Sequence, residues 1–157
     1  MAPLLVFGNE EPYGNYEFSP DMAWLAYITP LPSMTLYLLN MNTGQKLGYK
    51  IDPAFWGAGK ISWSSDSSKL LFDASQGKYG VDLQSSIFWV IIEKDRLKVE
   101  EVARMEGFLW HNYTWTPDKV FIWNQKLAEV FDGPSYFLNL NTKNLVEVTL
   151  TPTPTLK

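Results

Sequence analysis

His111 is the only histidine in this 157-residue chain, and it stands between Trp110 and Asn112. A histidine beside carboxylates can act as a general base because its ordinary pKa lies close to neutral. Asp52, Asp82, Glu106, Glu129 and Asp132 are the carboxylates in the long connections that read as loops on one face. Two such groups roughly 5 to 9.5 Å apart would suit glycoside hydrolysis. Acyl transfer is less well served, since no serine stands in a Gly-x-Ser-x-Gly context. A lone histidine also has an ordinary role as an exposed or structural residue, so no catalytic residue is assigned and no enzyme is predicted.

Metal and cofactor chemistry finds no pattern. The chain has one His, no Cys and no Asp-x-Asp-x-Asp-Gly loop, which leaves no zinc or calcium signature. Gly57-Ala58-Gly59 lacks the surroundings of a phosphate loop and reads as a bend. No cofactor is expected. Asn112-Tyr113-Thr114 fits a glycosylation acceptor, a triplet too common to carry weight.

Rings accompany the acids. Phe55, Trp56, Tyr79, Phe108, Trp110 and Phe131 fall in the same loop-like segments. Trp and Tyr bury much area at small entropic cost and keep a polar handle, which suits binding surfaces. The candidate ligand-binding face therefore comprises Phe55, Trp56, Tyr79, Asp82, Trp110, His111, Phe131 and Asp132. Each ring has a second reading as a plug between packed sheets.

The elements that must position this face repeat. "FSPD" (18–21), "WSSD" (63–66) and "WTPD" (115–118) align, with Asp66 following Asp21 by 45 residues and Asp118 following Asp66 by 52. A short alternating segment precedes each turn and an apolar run follows it: "WLAYI", "KLLFDA" and "KVFIW". Alternation predicts strands, and Ser, Pro and Asp predict a tight corner between them. A third run ("TLYLLNM", "SIFWVII", "SYFLNL") and a fourth ("KLGYKI", "LKVEEVA", "LVEVTL") complete each unit. Four antiparallel strands at this period are the pattern of a propeller blade, with a β-sandwich as the alternative.

On these residues, "SPDMAWLAY", "SSDSSKLLF" and "TPDKVFIW" with "LYLLNMNTG" and "YFLNLNTKN", residues 16–150 resemble the TolB-like (WD40-like) β-propeller repeat. The resemblance implies blades with a Ser-Pro-Asp-Gly-Lys corner, and this chain departs from it. Met22, Ser67 and Lys119 stand where the family has Gly. The family includes envelope-associated binding proteins and accessory domains of larger enzymes. Fold likeness does not transfer an activity, because propellers host unrelated functions.

The resulting organisation is a lead-in at 1–15, blades at 16–60, 61–112 and 113–150, and a Thr/Pro-rich tail at 151–157. Closed propellers use about four to eight blades, so three leave open sheet faces. The predicted solution is a homodimer closing a six-bladed ring, with a partner subunit or a longer parent chain as alternatives. "LLVFG" (4–8) has no place in the three units and reads either as an outer strand donated across such a joint or as the last strand of a missing preceding blade.

Composition limits the partners. A net charge of −4 with 13 scattered Lys and Arg offers no footprint for nucleic acid. The longest apolar run, 87–92, is too short for a membrane-spanning helix, and no secretory signal stands at the start. The compartment is open on these grounds; the resemblance and the stiff Thr-Pro tail imply an extracellular or periplasmic setting. The expected function is a non-catalytic binding or scaffold module presenting the aromatic loop face to a protein or glycan. Two alternatives stand beside it: a glycan-active enzyme or accessory domain, and a structural subunit whose open sheet faces bind another chain.

Overall fold

The computed structural model describes residues 15–78, 82–106, 111–117, 119–124 and 135–148. Among them there are twelve strands and no helix, so no helix is long and apolar enough to cross a membrane. The strands form three four-stranded antiparallel sheets, each a meander in chain order. Sheet one holds β1 (Tyr16–Phe18), β2 (Trp24–Ile28), β3 (Thr35–Asn40) and β4 (Lys46–Lys50). Sheet two holds β5 (Gly57–Trp63), β6 (Lys69–Gln76), β7 (Gln84–Ile92) and β8 (Leu97–Glu106). Sheet three holds β9 (His111–Trp115), β10 (Lys119–Asn124), β11 (Ser135–Asn139) and β12 (Leu145–Val148). The strands thus divide into three sheets rather than the two of a sandwich. The chain separates into two compact units, one with sheets one and two and one with sheet three.

The corners explain why these strands turn where they do. Ser19 Oγ donates to Asp21 Oδ1 at 2.6 Å and accepts from Trp24 N at 2.9 Å, while Asp21 Oδ1 also accepts from Ala23 N at 3.0 Å. Ser64 and Asp66 repeat the network, with Ser64 Oγ to Asp66 Oδ1 at 2.7 Å and Lys69 N to Ser64 Oγ at 3.1 Å. These side chains satisfy backbone donors that the ladder leaves over. Met22 and Ser67, the positions that replace glycine, have φ of 60° and 58°. The corner therefore imposes a left-handed residue whatever its type, at a cost of about 1–2 kcal/mol for a side chain. The third corner is tighter: Lys119 N donates to Thr116 Oγ1 at 3.1 Å, and Thr116 N to Lys119 O at 2.8 Å.

The turns from β3 to β4 and from β11 to β12 also match. Asn40 Oδ1 accepts from Asn42 N and Thr43 N, and Asn139 Oδ1 accepts from Asn141 N and Thr142 N, all at 2.9–3.0 Å. Gly44 closes one at φ 74° and Lys143 the other at φ 58°.

Sheets one and two pack face to face. Ala26, Ile28, Leu36, Leu38 and Leu47 from the first meet Ile61, Leu70, Phe72, Phe88 and Val90 from the second in one buried cluster. Each fully buried side chain of this size contributes about 1.5–3 kcal/mol. β5 lies beside β1 and β2, and β8 beside β4, so first strands neighbour first strands and fourth neighbour fourth. Polar links at both ends hold that stacking: Trp63 Nε1 to Glu17 O at 3.1 Å, Asn15 Nδ2 to Ala58 O at 2.7 Å, and Asp21 N to Ser67 Oγ at 3.1 Å.

Two strand ends differ from the sequence expectation. Gly57-Ala58-Gly59, read as a bend, lies inside β5, with a bulge between Ala58 and Ile61. Gly59 sits there under the buried Asp73 carboxylate, and a Cβ at 59 would fall 1.7 Å from Asp73 Oδ1. The segment 75–86, read as a long loop, is ladder at both ends: Ser75 pairs with Ser85, Gln76 with Gln84 and Ala74 with Ser86, and all three serines are buried. Serine looks loop-like by composition, but here the Ser75 and Ser85 hydroxyls lie 3.3 Å apart inside the sheet.

Candidate functional site

Antiparallel meanders place the corners at one end of sheets one and two and the other connections at the opposite end. At that opposite end the β4–β5 and β6–β7 connections meet. Asp52 starts the first, its Oδ1 accepting from Ala54 N at 2.8 Å while its carbonyl accepts from Phe55 N at 3.0 Å. This turn drives Phe55 inward. Its ring packs edge-on to Phe88, with centroids 5.4 Å apart, and Phe88 stacks on Phe72 at 4.9 Å. Phe55 is 7% exposed. It belongs to the core cluster and not to the surface face expected of it, because the cluster between the two sheets needs a ring at their open end.

Trp56 faces the other way. It is 37% exposed, and its Nε1 donates to Gly77 O at 2.7 Å while its backbone N donates to Ser75 O at 3.0 Å. Gly77 carries φ 87°, and a Cβ there would lie 2.3 Å from Asp82 O. Asp82 Oδ1 in turn accepts from Lys78 N at 2.6 Å. The structure thus brings Trp56 and Asp82 together through Gly77 and Lys78. The indole has its polar atom committed and its ring partly in solvent, which suits stacking rather than hydrogen-bonded readout. The Asp82 carboxylate holds the turn, as Asp52 does in the neighbouring connection.

His111, expected in a loop, is the first residue of β9 and pairs in register with Asn124. It lies in the other unit from Trp56 and Asp82. Tyr79, Trp110, Phe131 and Asp132 lie outside the described residues, as do 1–14 and 149–157. Among the described residues no group of three or more His, Cys, Asp or Glu side chains gathers to hold a metal. Gly77 was missed by the sequence reading. The signal was available: a glycine where a strand ends commonly marks a left-handed residue.

Some charged groups of the described surface sit in pairs, Arg96 with Glu93, Lys98 with Glu100 and Arg104 with Glu101. Arg104 bridges Glu101 through Nε to Oε1 at 2.7 Å and Nη2 to Oε2 at 2.8 Å, and the buried Ser86 hydroxyl adds a bond to Oε1 at 3.2 Å. The Arg104 contact holds the Glu101 carboxyl below its usual range against the opposing effect of burial. Asp66 is lowered to about 2, first by the Ser64 hydroxyl and then by the backbone and side chain of Ser68. These shifts belong to turns and sheet edges and describe structural carboxylates.

No protein-family model matches the chain, and no curated protein matches it either. Among solved structures it is similar to an acylaminoacyl peptidase of Pyrococcus horikoshii, with a TM-score of 0.54 at 11% identity. The match covers 84% of this chain and 24% of that one. At this identity the likeness concerns the fold alone, and the chain spans about a quarter of the length of that peptidase.

Proposed function

We propose that the three sheets are consecutive blades of a propeller-like scaffold and that the chain is a non-catalytic binding module. Three blades from each of two copies would make a six-bladed ring. The face formed by the β4–β5 and β6–β7 connections engages a protein or glycan through Trp56. The observation that carries this reading is the braced, partly exposed indole, fixed by Gly77 and the Asp82 turn on a rigid pair of sheets. Preorganisation of this kind lowers the entropy lost on binding. The resemblance of the corners to TolB-like repeats and the fold likeness to a much longer protein support the blade reading.

The test is direct. Peptides selected by display on the wild-type chain, and soluble cello- and chito-oligosaccharides followed by tryptophan fluorescence, are compared with Trp56→Ala. At least one probe should bind and weaken about tenfold or more on removal of the indole, as at interface hot spots. Binding that ignores Trp56→Ala overturns the site. Turnover of an activated ester or glycoside that Asp82→Asn abolishes overturns the non-catalytic reading.

A further inference from the structure

The Trp56 turn offers a partner a ring face and a charge, and few free hydrogen-bonding groups. The indole Nε1 is spent on Gly77 O at 2.7 Å, and the backbone N of Trp56 on Ser75 O at 3.0 Å. Gln76 and Gln84, the last pair of the β6–β7 ladder at this end, bond each other, Nε2 to Oε1 at 3.2 Å. Asp82 Oδ1 is spent on Lys78 N, while Oδ2 makes no hydrogen bond among the described residues. The carboxylate and the indole flank one residue: Gly77 holds the indole through its carbonyl, and a Cβ on it would lie 3.2 Å from Asp82 Oδ1. Asp82 is exposed, as are Asp52 in the adjoining connection and Glu106, which stands opposite Gln84 at the end of β8. Lys50 and Lys78 are exposed at the same end.

We infer that this turn takes the cationic side chain of an Arg or Lys from a partner polypeptide, with the cation over the Trp56 ring and the Asp82 carboxylate as its counter-charge. An indole face is the strongest of the aromatic sites for a cation. Elsewhere the chain covers ring faces with its own lysines: Lys46 Nζ lies 3.8 Å from the Tyr37 centroid, Lys69 Nζ 5.6 Å from Trp89 and Lys119 Nζ 6.0 Å from Phe137. Among the described residues no Lys or Arg lies over Trp56, although Lys78 follows Gly77 directly. A neutral sugar would find the ring but would lack the convergent polar groups that fix its orientation. The net charge of −4 adds long-range attraction for a basic partner. This inference rests on the Trp56 reading above and names the chemistry of the partner.

The experiment uses the full chain and peptides selected on it by display. The tightest peptide is resynthesised with each Arg replaced by citrulline and each Lys by acetyl-lysine, neutral groups of similar shape. Binding is read by fluorescence anisotropy of the labelled peptide. One such replacement should weaken binding to the wild-type chain about tenfold, and binding to Trp56→Ala by no more than about twofold. Because this change is made in the ligand, its outcome does not depend on a variant protein folding. Asp82→Asn, which keeps Oδ1 as the acceptor for Lys78 N, should also weaken the cationic peptide and leave its neutral form unaffected. Peptides or oligosaccharides that lose binding on Trp56→Ala but ignore both the neutral replacements and Asp82→Asn overturn the cationic partner and leave the binding reading in place. Absence of any binder, or binding indifferent to Trp56→Ala, overturns both.

Discussion

Leu38 and Leu47 in the first sheet and Phe137 and Val146 in the third hold the same places in the same four-strand unit, yet one pair is sealed and the other meets solvent. Both turns that set these registers are built by an asparagine and close on a left-handed residue. Local chemistry is therefore shared, and what differs is that sheet two covers the row of the first sheet, while no further sheet follows the third among the described residues. Burial is a property of the neighbour, while alternation is a property of the strand.

Truncation should break the comparison most sharply. Leu38→Ala should cost about 3 kcal/mol in urea unfolding, as other buried leucines do, whereas Phe137→Ala should cost under about 1 kcal/mol. Equal losses would mean that the third sheet's row is packed as tightly as the first. Next in size, Gly59→Ala should destabilise by about 2 kcal/mol, because its Cβ would collide with the buried Asp73 carboxylate. Its measured loss should shrink when Asp73→Ala is added, and an additive pair would refute that contact as the cause.

The corners give smaller effects. Ser19→Ala and Ser64→Ala should each cost about 1 kcal/mol, since each hydroxyl serves both a carboxylate and a backbone N–H. Met22→Gly and Lys143→Gly should each raise stability by about 1 kcal/mol, and Gly44→Ala should lower it, by relieving or creating a left-handed side chain. Ser67→Gly should gain less than Met22→Gly because it loses the Asp21 N to Ser67 Oγ bond between corners. Thermal melts of the four variants provide the ranking.

The pH dependence is the finest probe. Asp66 is held at about 2, below its ordinary 3.8. Its contribution is therefore complete above about pH 4 and is lost as the pH falls toward 2. Asp21 is lowered in the same direction, first by the Ser19 hydroxyl. Acid unfolding monitored by tryptophan fluorescence should shift upward in midpoint for Ser64→Ala, which removes the first cause of the Asp66 shift. An unchanged midpoint would show that the corner's charge is already screened by solvent.

Much of the architecture was legible before any coordinates. The Ser/Thr-x-Asp corners and the alternating runs that follow them led to three four-strand units, and twelve strands are found in those places. The candidate site was less legible. Phe55 and Trp56 are adjacent aromatics, and nothing in their types says that one enters the core while the other stays outside. His111 read as loop because its neighbours are polar and aromatic without clear alternation, yet it pairs in β9. Ser75, Ser85 and Ser86 read as loop by composition, yet their backbones complete the β6–β7 ladder.

The sequence by itself determined the turns and the strand alternation, because both are set by interactions within a few residues: side-chain oxygens on nearby amides, and a period of two along the backbone. Only the tertiary structure decided which alternate face is closed, which ring of a pair is exposed, and that glycine at 59 is demanded by an aspartate fourteen positions away. Those outcomes depend on which surfaces meet across sheets and strands. Contact between distant segments is the one quantity that local spacing does not encode.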